Sequence, residues 1–362
     1  MARPTSATIH IDALRHNLAR VRALAPRSKI MAVVKADGYG HGLERVTRAL
    51  AGADAFGVAT IADAERIRAA GLSNRIVLLS GMDDPFDLPL LHGLDVDTVV
   101  HHDSQLAILE ADRERTPVRA WLKIDTGMHR LGFPPTRAAE LRARLLALPQ
   151  VSEVVLMTHL ASSDEFGGTQ TPAQIAAFDA VDGVPGEACS LSNSAAVLGW
   201  PGAHRDWVRA GGALYGLSVV AGKTGADFGL RPAMTLATRL IAINRVAAGE
   251  PIGYSATWVC PEDMDIGVAA IGYGDGYPRS APAGTPVIVR CAHGGDVRVP
   301  IVGRVSMDLM TLDLRGAAHA RVGDPVVLWG PQLPAETIAA AAGTIAYELT
   351  CSITRRVRFF EA

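Results

Sequence analysis

Two hydrophobic periods alternate along the first part of the chain. Short apolar runs at Ile30–Val34, Phe56–Ala59, Arg75–Leu79, Thr98–Val100, Val118–Ile124, Val154–Thr158, Cys189–Ser192 and Trp207–Ala210 read as strands buried on both faces. Between them, apolar residues recur at helical spacing in Leu43–Leu50, Ile61–Ala70, around Leu88–Leu91, and in Asp103–Arg115, Arg137–Leu148, Ala173–Val181 and Ser194–Leu198. Ahead of this series Ala7–Ile11 alternates like a strand, and Asp12 is placed to cap a helix through Leu14, Leu18, Val21 and Leu24. Buried strands alternating with helices predict a parallel sheet, and eight repeats match a closed TIM-type (β/α)8 barrel. An open doubly wound sheet is the alternative, but the chain lacks the GxGxxG turn with which such sheets bind dinucleotides.

Past residue 230 the texture changes. Thr235–Val246, Ile266–Ile271, Val287–Arg290, Val297–Leu314 and Val326–Trp329 are strand-like and separated by Gly, Pro and Asp, while only Ala335–Ala342 and a turn near Tyr347 look helical. The predicted fold class is therefore α/β: a barrel over residues 1–230, then a mostly β domain over residues 231–362. The opening strand, about residues 7–11, is open to pairing with the second domain.

Composition narrows the function. With 362 residues there is ample material for two domains, and 49% hydrophobic with 20% charged residues is that of an ordinary globular enzyme. A net charge of -2 without a basic run gives nothing for nucleic acid or an anionic membrane surface to attract. No apolar run is long enough to span a bilayer, and the first residues lack a signal core. Cys189, Cys260, Cys291 and Cys351 are far apart and form no CxxC pair, which fits free thiols in the cytoplasm better than a disulfide framework or a metal site.

In a barrel the chemistry sits where the strands end. Lys35 closes a buried run and precedes Gly38, Gly40 and Gly42. A lysine partly withdrawn from water has its ammonium disfavoured, and its amine can then attack an aldehyde; the plainer reading is a lysine that snorkels from a strand end. The other strand ends carry Lys123 with Asp125 and Arg130, His159, Asn193 with Ser194, and Arg209 before Gly211-Gly212. Cations, hydroxyls and glycine-rich backbone at one mouth fit a phosphorylated ligand, and an imine-forming lysine beside a phosphate site points to pyridoxal phosphate.

These blocks carry a resemblance. Lys35-Ala36-Asp37-Gly38-Tyr39-Gly40-His41-Gly42 is similar to the cofactor-lysine signature of alanine racemases. Lys123 through Phe133, Asn193-Ser194-Ala195-Ala196, Arg209-Ala210-Gly211, Gly253-Tyr254 and Val305-Ser306-Met307-Asp308 follow in that family's order. The resemblance covers essentially the whole chain. It implies a fold-type III pyridoxal phosphate enzyme that interconverts L- and D-alanine, supplies D-alanine for peptidoglycan, and works as a homodimer with each site completed by the partner's β domain.

The resemblance also assigns roles. Lys35 would hold the cofactor and serve as one acid/base group, with Tyr254 of the partner subunit as the other, because one base cannot reach both faces of a stereocentre. Tyr39, Ser194 and the Gly211 backbone would bind phosphate, Arg209 would face the pyridine nitrogen, and His159 would link Arg209 to the tyrosine. Arg130 would hold the cofactor phenolate or the substrate carboxylate, and the Met307 amide, in a β-domain loop capping the partner's site, would lie near the substrate carboxylate, with Lys123, Asn193 and Asp308 in support. Lys123 is similar to a lysine often carbamylated in the family; an ordinary lysine paired with an acid is equally compatible with the sequence. Tyr273, Arg279, Arg304 and Asp164 match residues lining the access corridor.

Two positions depart from the pattern. Arg355 stands where several relatives place a tyrosine, which leaves open a broader racemase acting on serine or basic amino acids. His129 replaces a glycine seen in many relatives. A fold-type III decarboxylase would need a late cysteine-centred motif that is not found near Cys351, and a single-barrel pyridoxal phosphate carrier would lack the residues after 230.

Overall fold

A computed structural model of the chain describes residues 4–113, 117–181 and 188–362. They form two compact units. One comprises Leu14–Leu214 with Val220–Lys223; the other comprises Tyr215–Val219, Thr224–Ala362 and the described residues up to Ala13.

The first unit is built on a parallel sheet ordered Cys189–Ser190, Val151–Met157, Val118–Lys123, Val96–Val100, Arg75–Leu78, Ala55–Val58, Lys29–Val33, Trp207–Ala210. The two outermost strands meet, since Arg209 N donates to Ser192 O at 3.0 Å and Ser190 Oγ to Trp207 O at 2.9 Å. The expected (β/α)8 architecture is thus present, with helices such as Leu43–Ala49, Ile61–Ala69 and Gln170–Asp179 between the strands. Met31, Ala55, Val77, Val99, Trp121, Val155, Met157 and Trp207, drawn from seven strands, pack as one cluster, which fills the interior with apolar volume.

The end of the barrel where the strands begin is closed by a buried carboxylate. Asp97 has no exposed surface; its Oδ1 accepts from Arg119 Nε at 2.6 Å, and its Oδ2 accepts from Arg75 Nε at 2.6 Å and Trp121 Nε1 at 2.8 Å. The Arg75 guanidinium also lies over the Trp121 and Trp207 rings. This plug leaves the opposite end, where the strands finish, as the open mouth.

The second unit is a mostly β structure. Met234–Val246 pairs through residues 236–239 with Pro325–Trp329 and, from Leu240 onward across a bulge between Leu240 and Ala242, with Met264–Ala269. That switch of partner closes a ring through Met310–Asp313, Gly295–Val302 and Pro286–Cys291. Ser6–Ile9 lies antiparallel to residues 234–237 and parallel to Arg358–Glu361, so the opening strand belongs to this sheet.

Several boundaries differ from the sequence reading. The opening strand stops at Ile9 and the helix begins at Ile11, which puts Asp12 in the first turn instead of at the cap. Val297–Leu314 is two strands, Gly295–Val302 and Met310–Asp313, because the turn at Gly303 (φ 67°) breaks the run. The short pair Pro251–Ile252 and Trp258–Val259 and the terminal strand Arg358–Glu361 carry too few apolar residues to stand out. The helix from Asp103 ends at Ala111, and the expected end at Arg115 lies outside the described residues. Among the described residues no helix is long and apolar enough to cross a membrane.

Removing the buried carboxylate leaves two arginines facing a low-dielectric interior. Asp97→Ala should destabilise the barrel by about 3 kcal/mol or more, read as a lower midpoint in urea unfolding. An unchanged midpoint would show the plug to be dispensable.

Candidate active site

Lys35 follows the Lys29–Val33 strand at the mouth, where the chain turns in an uncommon way. Ala36, Asp37, Gly38 and Tyr39 have φ of 54°, 54°, 63° and 53°, a complete left-handed turn of which only one residue is glycine. Each non-glycine residue held there costs about 1–2 kcal/mol. Gly38 is where a side chain has least room, since a Cβ there would sit 2.9 Å from Val46 Cγ2. The turn is fastened by Gly38 N to Val34 O at 2.8 Å, Gly40 N to Ala36 O at 2.9 Å and His41 Nδ1–H to Tyr39 O at 2.8 Å. His41 is fully buried, and burial pulls its proton affinity down to about 4, so it stands as a neutral donor at ordinary pH.

The sequence reading placed a partly buried amine at Lys35; in the single chain that side chain is exposed, because it stands just beyond the strand end. The buried amine is Lys123, on the Val118–Lys123 strand, with 7% exposure. Burial, then the positive charges of Arg209, Arg130 and Lys35, pull its proton affinity down to about 8, against a smaller opposing pull from Asp125. Asp125 is drawn off in another direction: its Oδ1 accepts from the Gly127, Met128 and His129 amides at 3.0, 3.0 and 3.1 Å. These contacts hold the loop that carries exposed Arg130, and they hold His129 at φ 55°, a conformation in which a glycine would be unstrained.

Arg209, on the Trp207–Ala210 strand, is 4% exposed. It donates to Ser190 O and Oγ at 3.0 and 2.7 Å, to Thr158 O at 2.6 Å and to Leu191 O at 3.3 Å. Burial lowers its proton affinity to about 10, so it remains charged at neutral pH. The same guanidinium reaches His159 Nδ1 at 3.3 Å. Burial, then the surrounding cations led by Arg209, push the His159 imidazole well below its usual pKa, so it is neutral. Because a guanidinium only donates, Nδ1 must be the accepting nitrogen and Nε2 carries the proton.

A hydroxyl cradle adjoins these cations. Ser194 Oγ accepts from the Gly211 and Ala213 amides at 2.8 and 3.2 Å. The helix cap is Asn193, whose Oδ1 accepts from Ala196 N at 3.1 Å, and not Ser194, which is the first helical residue. Tyr39 lies against Gly211 so closely that a Cβ there would collide with the Tyr39 hydroxyl.

Sequence reasoning missed Gln174, which is 1% exposed. Its Oε1 accepts from Ala161 N at 2.8 Å and its Nε2 donates to His159 O at 3.0 Å, so it fixes the backbone on both sides of Leu160. The only signal was a glutamine on the helix stripe Thr171, Gln174, Phe178, all buried. His101 was also missed; it ends the Val96–Val100 strand and its Nε2 contacts Ser80 O at 2.8 Å.

The β unit presents two of the expected residues on its surface. Tyr254 is 70% exposed at the tip of the Pro251–Ile252/Trp258–Val259 hairpin, between Gly253 at φ 74° and the left-handed Ser255 and Ala256. Met307, 52% exposed, lies in a loop clasped from behind: Tyr273 N donates to Ser306 O at 3.1 Å and Gly274 N to Met307 O at 2.9 Å. Asp308 pairs with Arg356, which also reaches buried Asp275 at 3.2 Å. Tyr273, Arg279, Arg304 and Arg355 are exposed on this unit, and Asp164 is partly buried in the barrel.

A barrel whose strand ends crowd lysine, histidine and arginine around a hydroxyl cradle has the architecture of an enzyme acting on small anionic molecules. Family models specify the class further: the description "Alanine racemase, N-terminal domain" matches residues 9–219 and "Alanine racemase, C-terminal domain" residues 233–360. The chain belongs to the alanine racemase family. It is 55% identical to an alanine racemase of Nitrosococcus oceani and 51% identical to one of Shewanella baltica, in each case over 97% of both chains. Among solved structures, the biosynthetic alanine racemase of Pseudomonas aeruginosa superposes with a TM-score of 0.96 at 43% identity over 99% of both chains. The alanine racemase of Acinetobacter baumannii superposes at 0.91 and 34% identity, over 99% of this chain and 100% of its own.

The cradle gives a direct test. Gly211→Ala should force the Tyr39 ring away and cut turnover about tenfold or more with little loss of thermal stability, since the clash falls on one movable side chain. Wild-type turnover in that variant would mean that Tyr39 has no role at Gly211.

Proposed function

We propose that this chain racemises alanine with pyridoxal 5'-phosphate, as a cytoplasmic homodimer in which Lys35 of one subunit and Tyr254 of the partner subunit are the two bases. The D-alanine made this way would feed peptidoglycan. Alanine as substrate is supported by relatives up to 55% identical along nearly the full length. The observation that carries the two-base reading is the Arg209–His159 contact, which leaves a histidine Nε2–H as donor toward a tyrosine oxygen.

The residues fit the cofactor. Four cationic side chains, Lys35, Lys123, Arg130 and Arg209, act on one another or on His159, and such a cluster is balanced by an anionic ligand. Ser194, Tyr39 and the Gly211 backbone would hold its phosphate, Arg209 its ring nitrogen, and Lys35 its aldehyde carbon. Bound there, pyridoxal phosphate supplies a covalent anchor for the amino acid and an electron sink that makes the α-proton acidic.

Lys35 Nζ takes or returns the α-proton on one face, and the Tyr254 oxygen does so on the other. His159 Nε2–H donates to that oxygen and stabilises its deprotonated form, while Arg209 stays charged and holds the imidazole in the required tautomer. Arg209 would face the ring nitrogen as a donor that keeps its own proton, which would leave the cofactor a moderate electron sink and favour return of the proton to the α-carbon. Arg130 and the amide of Met307 of the partner subunit orient the carboxylate, Asn193 and the partner's Asp308 brace the loops that carry this machinery, and burial of the mouth by the partner subunit excludes water. Free Cys189, Cys260, Cys291 and Cys351 fit a reducing compartment.

Purified protein given single enantiomers should convert L- and D-alanine, with serine and basic amino acids turned over far more slowly; comparable rates would favour the broader racemase raised by Arg355. Tyr254→Phe should cut α-proton exchange for one enantiomer about a hundredfold or more and spare the other, as expected for loss of one positioned base. Equal losses for both would sink the two-base assignment.

Lys123 is set up to take carbon dioxide, because its neutral amine is populated as pH rises through about 8 and a carbamate would place negative charge among Arg209, Arg130 and Lys35. With ¹³C-bicarbonate a carbamate resonance should appear, strengthen across that pH range and vanish in Lys123→Ala. No resonance at any pH would leave Lys123 an ordinary amine.

A further inference from the structure

The left-handed turn after Lys35 needs something outside itself to hold it, and the structure provides it on the neighbouring helix. Asp37, in the middle of the turn, accepts from Leu43 N at 3.1 Å and from Arg66 at 2.7 Å. Arg66 lies on the Ile61–Ala69 helix and spreads its guanidinium over a second carboxylate, Glu44, at 2.8 and 2.9 Å. A third, Asp63, stands 3.7 Å away on the same helix. Glu44 opens the Leu43–Ala49 helix, so one arginine ties the turn to two helices at once.

We propose that Arg66 is a positioning residue for the racemase chemistry: it clamps Asp37 so that the strained 36–39 turn keeps Lys35 and Tyr39 in place. This rests on the proposed roles of Lys35 and Tyr39. A turn with three non-glycine residues at positive φ relaxes toward ordinary backbone wherever the surrounding contacts allow it. Gly42 N to Asp37 O (2.8 Å), the Gly38 and Gly40 amide bonds and Leu43 N to Asp37 also hold the turn, but each lies within residues 34–43. Asp37–Arg66 is the contact that ties the turn to the Ile61–Ala69 helix. It is a partly exposed pair, with side chains 42% and 53% accessible, so its strength comes from the fork to two carboxylates, not from burial.

The test uses the pyridoxal phosphate-loaded protein and three variants. Arg66→Ala should lower kcat for alanine about tenfold with KM changed far less, since Lys35 is displaced and the carboxylate-holding groups are not. Hydrogen exchange at the Gly38, Gly40 and Gly42 amides should quicken about tenfold, a readout that needs no turnover. Ala36→Gly lowers the cost of the left-handed turn and should restore both values in the Arg66→Ala background. Arg66→Lys keeps the charge but loses the fork and should fall between wild type and Arg66→Ala.

Unchanged kcat and exchange in Arg66→Ala would overturn the proposal. So would a fall in kcat without faster exchange, or a double variant that Ala36→Gly fails to rescue, because Arg66 would then act through its helix and not through the turn. If the wild type itself fails to racemise alanine, the functional reading fails, while the exchange and rescue arms still decide whether the clamp exists.

Discussion

Positive charge crowded into one end of a parallel barrel is the constraint from which the rest of this structure follows. Arg209 is 4% and Lys123 7% exposed, yet among the described residues neither has a carboxylate within hydrogen-bonding distance, and both lose proton affinity to burial. Burying cations without counter-charge is costly unless something anionic occupies the site. Asp125, the acid that acts on Lys123, binds the amides of its own loop. The mouth is therefore built for a ligand that brings negative charge, and the same field keeps His159 neutral, as the proposed relay to a second base requires.

The two ends of the barrel contrast. At the strand beginnings Asp97 is fully buried but meets Arg75, Arg119 and Trp121, so the charge there is satisfied and the plug is structural. At the strand ends the arginine meets carbonyls, a hydroxyl and a histidine, contacts that orient the guanidinium and leave its charge uncompensated. Satisfied charge marks the part that holds the fold, and unsatisfied charge marks the part that waits for a ligand.

Much of this was legible in the sequence because periodicity reports burial directly. Eight apolar runs separated by helical stripes read as buried strands, and in the favoured barrel the residue that ends each run lies at the mouth. What the sequence hid were contacts that depend on backbone shape. The burial expected at Lys35 is found at Lys123, because the side chain of Lys35 projects past the strand end while Lys123 is still within its strand. Asn193, and not Ser194, caps the short helix, which frees the serine hydroxyl to accept from Gly211 and Ala213. Gln174 lies in a helix far from any motif, and only the fold brings it under His159.

Strain links the remaining pieces. Among the described residues the non-glycine positions at positive φ are Ala36, Asp37, Tyr39, Asp95, His129, Arg205, Ser255 and Ala256. Six of them adjoin or coincide with groups assigned a role: three follow Lys35, His129 precedes Arg130, and two follow Tyr254. Chance placement would scatter them across the loops of both units. Left-handed backbone at a non-glycine residue has few neighbouring conformations of similar energy, so a side chain attached to it has little freedom to wander. Racemisation requires two bases held on opposite faces of one carbon, each within hydrogen-bonding reach, and loss of either position halts inversion in both directions, because each direction needs one group to take the proton and the other to supply one. A backbone that can be held in only one way serves that requirement better than a relaxed loop. His129 fits the same view, since its backbone is left-handed at φ 55° and Asp125 supplies the hydrogen bonds that keep it there.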